Sequence, residues 1–201
     1  MTDCFALFGQ PRRPWLDAGL IKEIFISRST QTHPDKFQDP QERAAAQLRF
    51  AELNGAHEIL RDPQRRLTHL LTLERGAKPA EVHAIMPDIA DLFLQVGQLC
   101  REIDAFLAER NAAPTALQKA QLFSRALDWV EKIESFRKTL GKERESLLDR
   151  LRELDALWNL PVPAPQSSTV LEGIEAICHR LRYLDRWIEL LGKHSLTLQL
   201  G

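Results

Sequence analysis

Cysteine is scarce in this chain of 201 residues: Cys4, Cys100 and Cys178 are the three, and none stands in a CxxC. Three thiols cannot pair completely, which excludes a disulfide framework and points to a reducing, cytoplasmic setting. Cys100 and Cys178 fall on apolar stripes, so they read as buried structural thiols rather than metal ligands. No apolar run approaches the roughly 20 residues that a membrane-spanning helix needs. The first residues, MTDCFALFG, lack the basic start and long apolar stretch of a signal peptide, so export is not expected. Charge of one sign is missing as well, with 27 Lys and Arg against 28 Asp and Glu. A net charge of −1 gives no global pull toward nucleic acid or anionic lipid. No helical pattern carries the clustered basic face that phosphate contacts require, so neither partner is expected.

Catalytic signatures are absent too. There is no Gly-rich phosphate loop and no HExxH, and His33, His57, His69, His83, His179 and His194 are scattered. His57-Glu58 and Cys178-His179 are adjacent pairs, and neighbours on a helix point about 100° apart. The expectation is a protein that is not an enzyme, with no cofactor and no metal.

What the sequence has is helical punctuation. Asp39-Pro40 and Asp62-Pro63 each place a capping oxygen before a proline suited to the first helical position. Glu42, three residues after Asp39, completes the pattern of a capping box. Upstream, Leu20, Ile21, Ile24 and Phe25 make a helical stripe that begins after Asp17 and dies at Thr32, before His33-Pro34. A proline disfavours helical geometry at the residue before it, so His33 is expected in extended backbone. Leu48, Phe50, Leu53, Ala56, Ile59 and Leu60 carry the next helix, and Leu67, Leu70 and Leu71 a shorter one. Four helices are expected by residue 75.

Gly76, Pro79 and Pro87 mark 76–87 as a linker. From Asp88 the set Ile89, Leu92, Phe93, Val96, Leu99, Cys100, Ile103, Phe106 and Leu107 predicts a helix with one buried face. Phe123, Leu127, Val130, Ile133, Leu140, Leu147, Leu151, Leu154 and Trp158 keep the period, with Gly141 the candidate break, and the pattern leaves one helix or two open. Pro161, Pro163 and Pro165 end it. Thr169 with Glu172 then supplies a capping box for a helix carrying Leu171, Ile174, Ile177, Leu181, Leu184, Ile188 and Leu191. Strand alternation is convincing nowhere. The expected fold is all-α, with a domain over 1–75, the linker, and a helical bundle over 88–195.

The sharpest constellation is His33-Pro34-Asp35-Lys36-Phe37, in the loop between two antiparallel amphipathic helices. Proline stiffens such a loop and lowers the entropy lost on docking, and His33 and Asp35 offer an aromatic donor and a carboxylate, the make-up of a recognition tip. The same residues also suit a structural role, with Asp35 capping the following segment and His33 capping the second helix.

Three further stretches accompany it: Asp3-Cys4-Phe5-Ala6-Leu7-Phe8-Gly9, Ala51-Glu52-Leu53-Asn54-Gly55-Ala56-His57-Glu58-Ile59-Leu60-Arg61-Asp62-Pro63, and Arg65-Arg66-Leu67-Thr68-His69-Leu70-Leu71-Thr72-Leu73. With the HPD loop they resemble a J domain of the HscB family of iron-sulfur-cluster co-chaperones. Arg180-Leu181-Arg182-Tyr183-Leu184-Asp185-Arg186 is similar to the basic and apolar motif of that family's final helix. The first 75 residues match well and the remainder patchily.

The resemblance implies an N-terminal J domain, an antiparallel helical hairpin whose HPD loop docks on an HscA- or DnaK-type ATPase chaperone. Asp35 would meet an arginine there, with His33, Pro34 and Lys36 shaping the contact. Lys22 and Arg28 are candidates for steering the chaperone, although they lie about 120° apart around their helix and read equally as ordinary solvated charge. The C-terminal bundle would bind an IscU-type scaffold protein through an apolar patch, with Phe93, Leu94 and Tyr183 at its positions. Phe93 belongs also to the stripe read as buried. Gly97, Arg101 and Ala105 stand where the family pattern has apolar and acidic residues. A J protein for another client, or a structural helical adaptor with a degenerate J domain, fits the same residues.

Overall fold

A computed structural model describes residues 2–79, 87–113, 115–158 and 164–200. The described residues form seven α-helices and a 3-10 turn, without strands. The helices are α1 (Cys4–Phe8), α2 (Ala18–Thr32), α3 (Pro40–Arg61), α4 (Pro63–Arg75), α5 (Pro87–Ala112), α6 (Ala116–Trp158) and α7 (Ala164–Leu200), with the turn at Pro34–Lys36. This is the expected all-α class. None of the helices is long and apolar enough to cross a membrane among the described residues.

Aspartate caps set the helix starts in the first third. Asp3 accepts the N–H groups of Phe5 and Ala6, and Asp17 that of Leu20. Asp39 accepts those of Gln41 and Glu42, and Asp62 that of Arg65. Each cap satisfies donors that the first turn leaves without partners, a contribution of about 1 kcal/mol apiece. α1 is closed by Gly9 at φ 64°, a left-handed geometry that a side chain would strain. α2 stops because His33 is extended (φ −62°, ψ 129°) ahead of Pro34.

The chain divides into two compact units. The first takes in the described residues of 1–80 together with 149–179, and the second those of 81–148 together with 180–201. The first unit is therefore built from the N-terminal helices plus the end of α6 and the start of α7, whereas the sequence marks only the break near residue 75.

In the first unit, His33 meets Phe50 while Phe25 stacks on His57 at 4.1 Å, so α2 and α3 run antiparallel. Their core holds Phe5, Phe8, Leu16, Ile21, Leu53, Ala56, Leu60 and Leu70. Two residues of the expected stripes sit outside it: Leu20 is 44% exposed and Leu48 71%. α3 buries Ala46, Leu53, Ala56 and Leu60, and Leu48, two positions past Ala46, points to the opposite side.

Polar staples tie residues 12–15 to α6. Asp155, 4% exposed, accepts Nε and Nη2 of Arg13 and, at 2.9 Å, the N–H of Trp15. Trp158 donates to the Arg12 carbonyl at 2.7 Å, and the Arg152 guanidinium lies 4.2 Å over the Trp15 ring. Arg66, 2% exposed, donates to the carbonyls of Pro14 and Leu60. Burial lowers its pKa to about 10, so it stays charged at neutral pH. α4 and α7 are joined by Arg75–Glu175 at 2.7 Å and by Thr68 Oγ1, 3.3 Å from Cys178 Sγ.

The second unit buries Val96, Leu99, Ile103 and Phe106 of α5, Leu122, Ala126, Ile133 and Leu140 of α6, and Leu184, Trp187, Leu191 and Leu198 of α7. α6 passes through Gly141 without a break, which makes it one helix of 43 residues. A single glycine costs a helix only about 1 kcal/mol, less than its flanking buried stripe supplies. Phe123 and Leu127, counted on that stripe from periodicity, are 60% and 52% exposed. α7 starts at Ala164, upstream of the expected Thr169 cap, and Ser168 Oγ donates to the Glu172 carboxylate at 3.1 Å. Pro165 thus lies in the first turn of α7, where proline is tolerated. Pro161 and Pro163, and most of the expected linker, fall outside the described residues.

Candidate functional site

The loop between α2 and α3 is held by short-range bonds. His33 Nδ1 accepts the Asp35 N–H at 3.3 Å, so the imidazole caps the 3-10 turn. The backbone N–H groups of Lys36 and Phe37 donate to the carbonyls of His33 and Pro34, both at 3.1 Å. Arg43 Nε on α3 reaches the Phe37 carbonyl at 3.2 Å. The His33 ring stands edge-on to Phe50, with centroids 5.3 Å apart, which anchors the tip to α3.

Asp35 takes no such structural role. The cap of α3 is Asp39, not Asp35, and the Asp35 side chain is 86% exposed. Its carboxylate oxygen is 3.5 Å from His33 Nδ1. The loop therefore presents a solvated acid on a short, braced turn, with Lys36 exposed beside it. A groove of about 380 Å³ runs alongside, lined by Phe25, Ser29, Thr30, His33, Lys36 and Phe50.

The two cations proposed on α2 part company. Lys22 is exposed. Arg28 is half-buried, and its Nη1 donates to the Leu7 carbonyl, clamping α2 to the end of α1. The clamp depends on the left-handed turn at Gly9, next to which the Arg28 guanidinium lies. Arg28 is thus committed within the fold, and Lys22 is the free charge of the pair.

In the second unit two of the three apolar candidates, Phe93 and Tyr183, meet at a residue outside the expected stripe, Trp187. Phe93 of α5 and Tyr183 of α7 contact its ring at centroid distances of 6.3 and 5.7 Å. Trp187 is 5% exposed, so it is the floor of the cluster. Phe93, expected in the buried stripe, stands at its margin, 41% exposed, and Leu94 beside it is 66% exposed. The i, i+4 spacing of Tyr183 and Trp187 was the available signal.

The remaining polar groups do structural work. His69 Nε2 accepts the Cys4 N–H at 3.1 Å, and burial lowers the pKa of this imidazole. His57 stacks on Phe25 and Phe8, and its pKa is lowered chiefly by burial. Burial likewise raises the thiol pKa of Cys4 and Cys100, which keeps them protonated and inert. Among the described residues no cluster of His, Cys, Asp and Glu is arranged to hold a metal ion.

Residues 13–69 match the DnaJ domain family. The fold is similar to the structure of chaperone HscB from Vibrio cholerae, at 20% identity and a TM-score of 0.63 with both chains covered completely. It is similar also to the crystal structure of human co-chaperone protein HscB, at 20% identity and a TM-score of 0.58 over 96% of this chain and 81% of that one.

Proposed function

We propose, from the premise that the chain is a J-domain protein with the HscB fold, that it stimulates the ATPase of an HscA- or DnaK-type chaperone and delivers an IscU-type iron-sulfur scaffold protein to it. One observation carries the reading: within a DnaJ domain, Asp35 is solvated on a turn whose every other contact braces it. A carboxylate so placed can form a charge-assisted hydrogen bond with an arginine of the ATPase, worth roughly 1.5–3 kcal/mol. Little loop entropy is lost on docking, because the turn is already ordered. Lys22, on the same hairpin, supplies a charge for steering.

Phe93, Leu94 and Tyr183 are the scaffold-facing residues in this reading, supported by the contacts of Phe93 and Tyr183 with Trp187 and by the exposure of Leu94 beside Phe93. Joining the trigger loop and the client patch in one chain raises the client's effective concentration at the chaperone without any new contact. The function needs no cofactor and no active site, and thiols outside any disulfide, buried at Cys4 and Cys178 and half-buried at Cys100, suit a cytoplasmic setting.

The test is a steady-state ATPase assay with the chaperone, this chain and the scaffold. Stimulation by the chain should rise further when the scaffold is added, and Leu94→Ser should remove only that increment. Stimulation without any scaffold effect would support the second reading, a J protein for a different client. Gly97, Arg101 and Ala105 permit that reading, since they stand where the family pattern is apolar and acidic.

A further inference from the structure

At the rim of the client face in the second unit stand two guanidiniums, Arg101 and Arg186, that form no ion pair among the described residues. Arg101 lies two turns along α5 from Leu94, on the same side as Gly97. Gly97 has no side chain, and a Cβ there would sit 3.6 Å from Arg101 Nη1, so the guanidinium lies back over the glycine toward Leu94. On α7, Arg186 and Leu190 follow Tyr183 by three and seven residues and share its side of the helix. Arg101 and Arg186 are exposed, and Leu190 is 38% exposed.

Several other charges on these helices are matched, Lys193 with Glu189 at 2.7 Å, Arg144 with Asp185 at 2.7 Å and Glu102 with Lys132 at 2.9 Å, while Asp91, one turn before Leu94, is an exposed acid beside the patch. Asp104, one turn beyond Arg101, lies 3.8 Å from His194 Nδ1. Among the described residues neither Arg101 nor Arg186 has a carboxylate within 4.0 Å. An exposed apolar cluster flanked by unmatched guanidiniums is complementary to an apolar knob flanked by acids.

We infer that the partner docked over Phe93, Leu94 and Tyr183 is a protein surface bearing carboxylates, held by Arg101 and Arg186. The inference rests on the client reading above and fixes the sign of charge that the client must carry. Specificity follows: a basic client meets two like charges at the rim, and discrimination then works by repulsion as well as fit.

The experiment is titration calorimetry of the full chain with an IscU-type scaffold, at about 50 and about 300 mM salt. Arg101→Glu with Arg186→Glu should weaken binding about tenfold or more. Binding by the unaltered chain should weaken with salt, and Leu94→Ser should abolish it with the helical circular dichroism unchanged. If the double reversal leaves affinity within about twofold or tightens it while Leu94→Ser still abolishes binding, the acidic partner is wrong and the client patch stands. If Leu94→Ser is also without effect, or the unaltered chain does not bind, both the inference and the client reading fall.

Discussion

Asp155→Ala removes the acceptor on which residues 12–15 are fastened. The carboxylate is 4% exposed and receives three donors: Nε of Arg13 at 3.1 Å, its Nη2, and the Trp15 N–H at 2.9 Å. The charge-assisted pair accounts for about 1.5–3 kcal/mol, and the stranded Trp15 N–H adds about 1 kcal/mol or more. The Arg13 side chain is 35% exposed and can recover water, which holds the penalty below that of a fully buried pair. The sum is about 3 kcal/mol, equivalent to roughly 6–12 °C in melting temperature for a chain of this size. Thermal and urea unfolding followed by circular dichroism measure it. Arg13→Met should cost less, because it leaves Asp155 the backbone donor, and the double variant should fall short of the sum of the two. A loss below about 1 kcal/mol for Asp155→Ala would refute the claim that α6 fastens the J-domain segment.

Three more perturbations separate the roles assigned above. His57 and His69 both have pKa values lowered in the folded state, chiefly by burial. The unfolded chain therefore binds more protons in acid, so stability is unaffected above about pH 7 and falls as the pH drops through about 6.5 and below. His57→Phe, which keeps the stack on Phe25, should flatten the dependence of melting temperature on pH between about 7 and 5, and an unchanged slope would contradict the assignment. Arg28→Met should lower stability by about 1 kcal/mol through loss of the Leu7 contact, seen as a lower urea midpoint. Lys22→Glu should leave that midpoint unmoved and slow association with the chaperone several-fold at low salt, as read by stopped-flow binding.

The helix starts of the first unit are legible because Asp-Pro pairs and the HPD proline act locally: Asp39, Asp62 and His33 each stop or start a helix through their own backbone geometry. Which side of a helix is buried is less legible, since α3 carries apolar residues on more than one side and only packing against α2 selects Leu53 over Leu48. The fastening of Trp15 by Asp155 and of Thr68 beside Cys178 joins residues more than 100 positions apart, and no local pattern encodes that. Gly141 is weak punctuation because one glycine cannot outweigh the buried stripe on both sides of it. The loop site is legible as a motif, while Arg28 looks the same as Lys22 in sequence until the turn at Gly9 brings α1 under it.

The central claim is that the exposed carboxylate at the hairpin tip drives a partner's nucleotide hydrolysis. The direct measurement is single-turnover ATP hydrolysis by an HscA- or DnaK-type chaperone with the full chain or with Asp35→Asn, a change that alters neither size nor fold. The unaltered chain should accelerate hydrolysis, and Asp35→Asn should return it to the basal rate with its unfolding midpoint and scaffold binding intact. Equal acceleration by the two proteins would contradict the account.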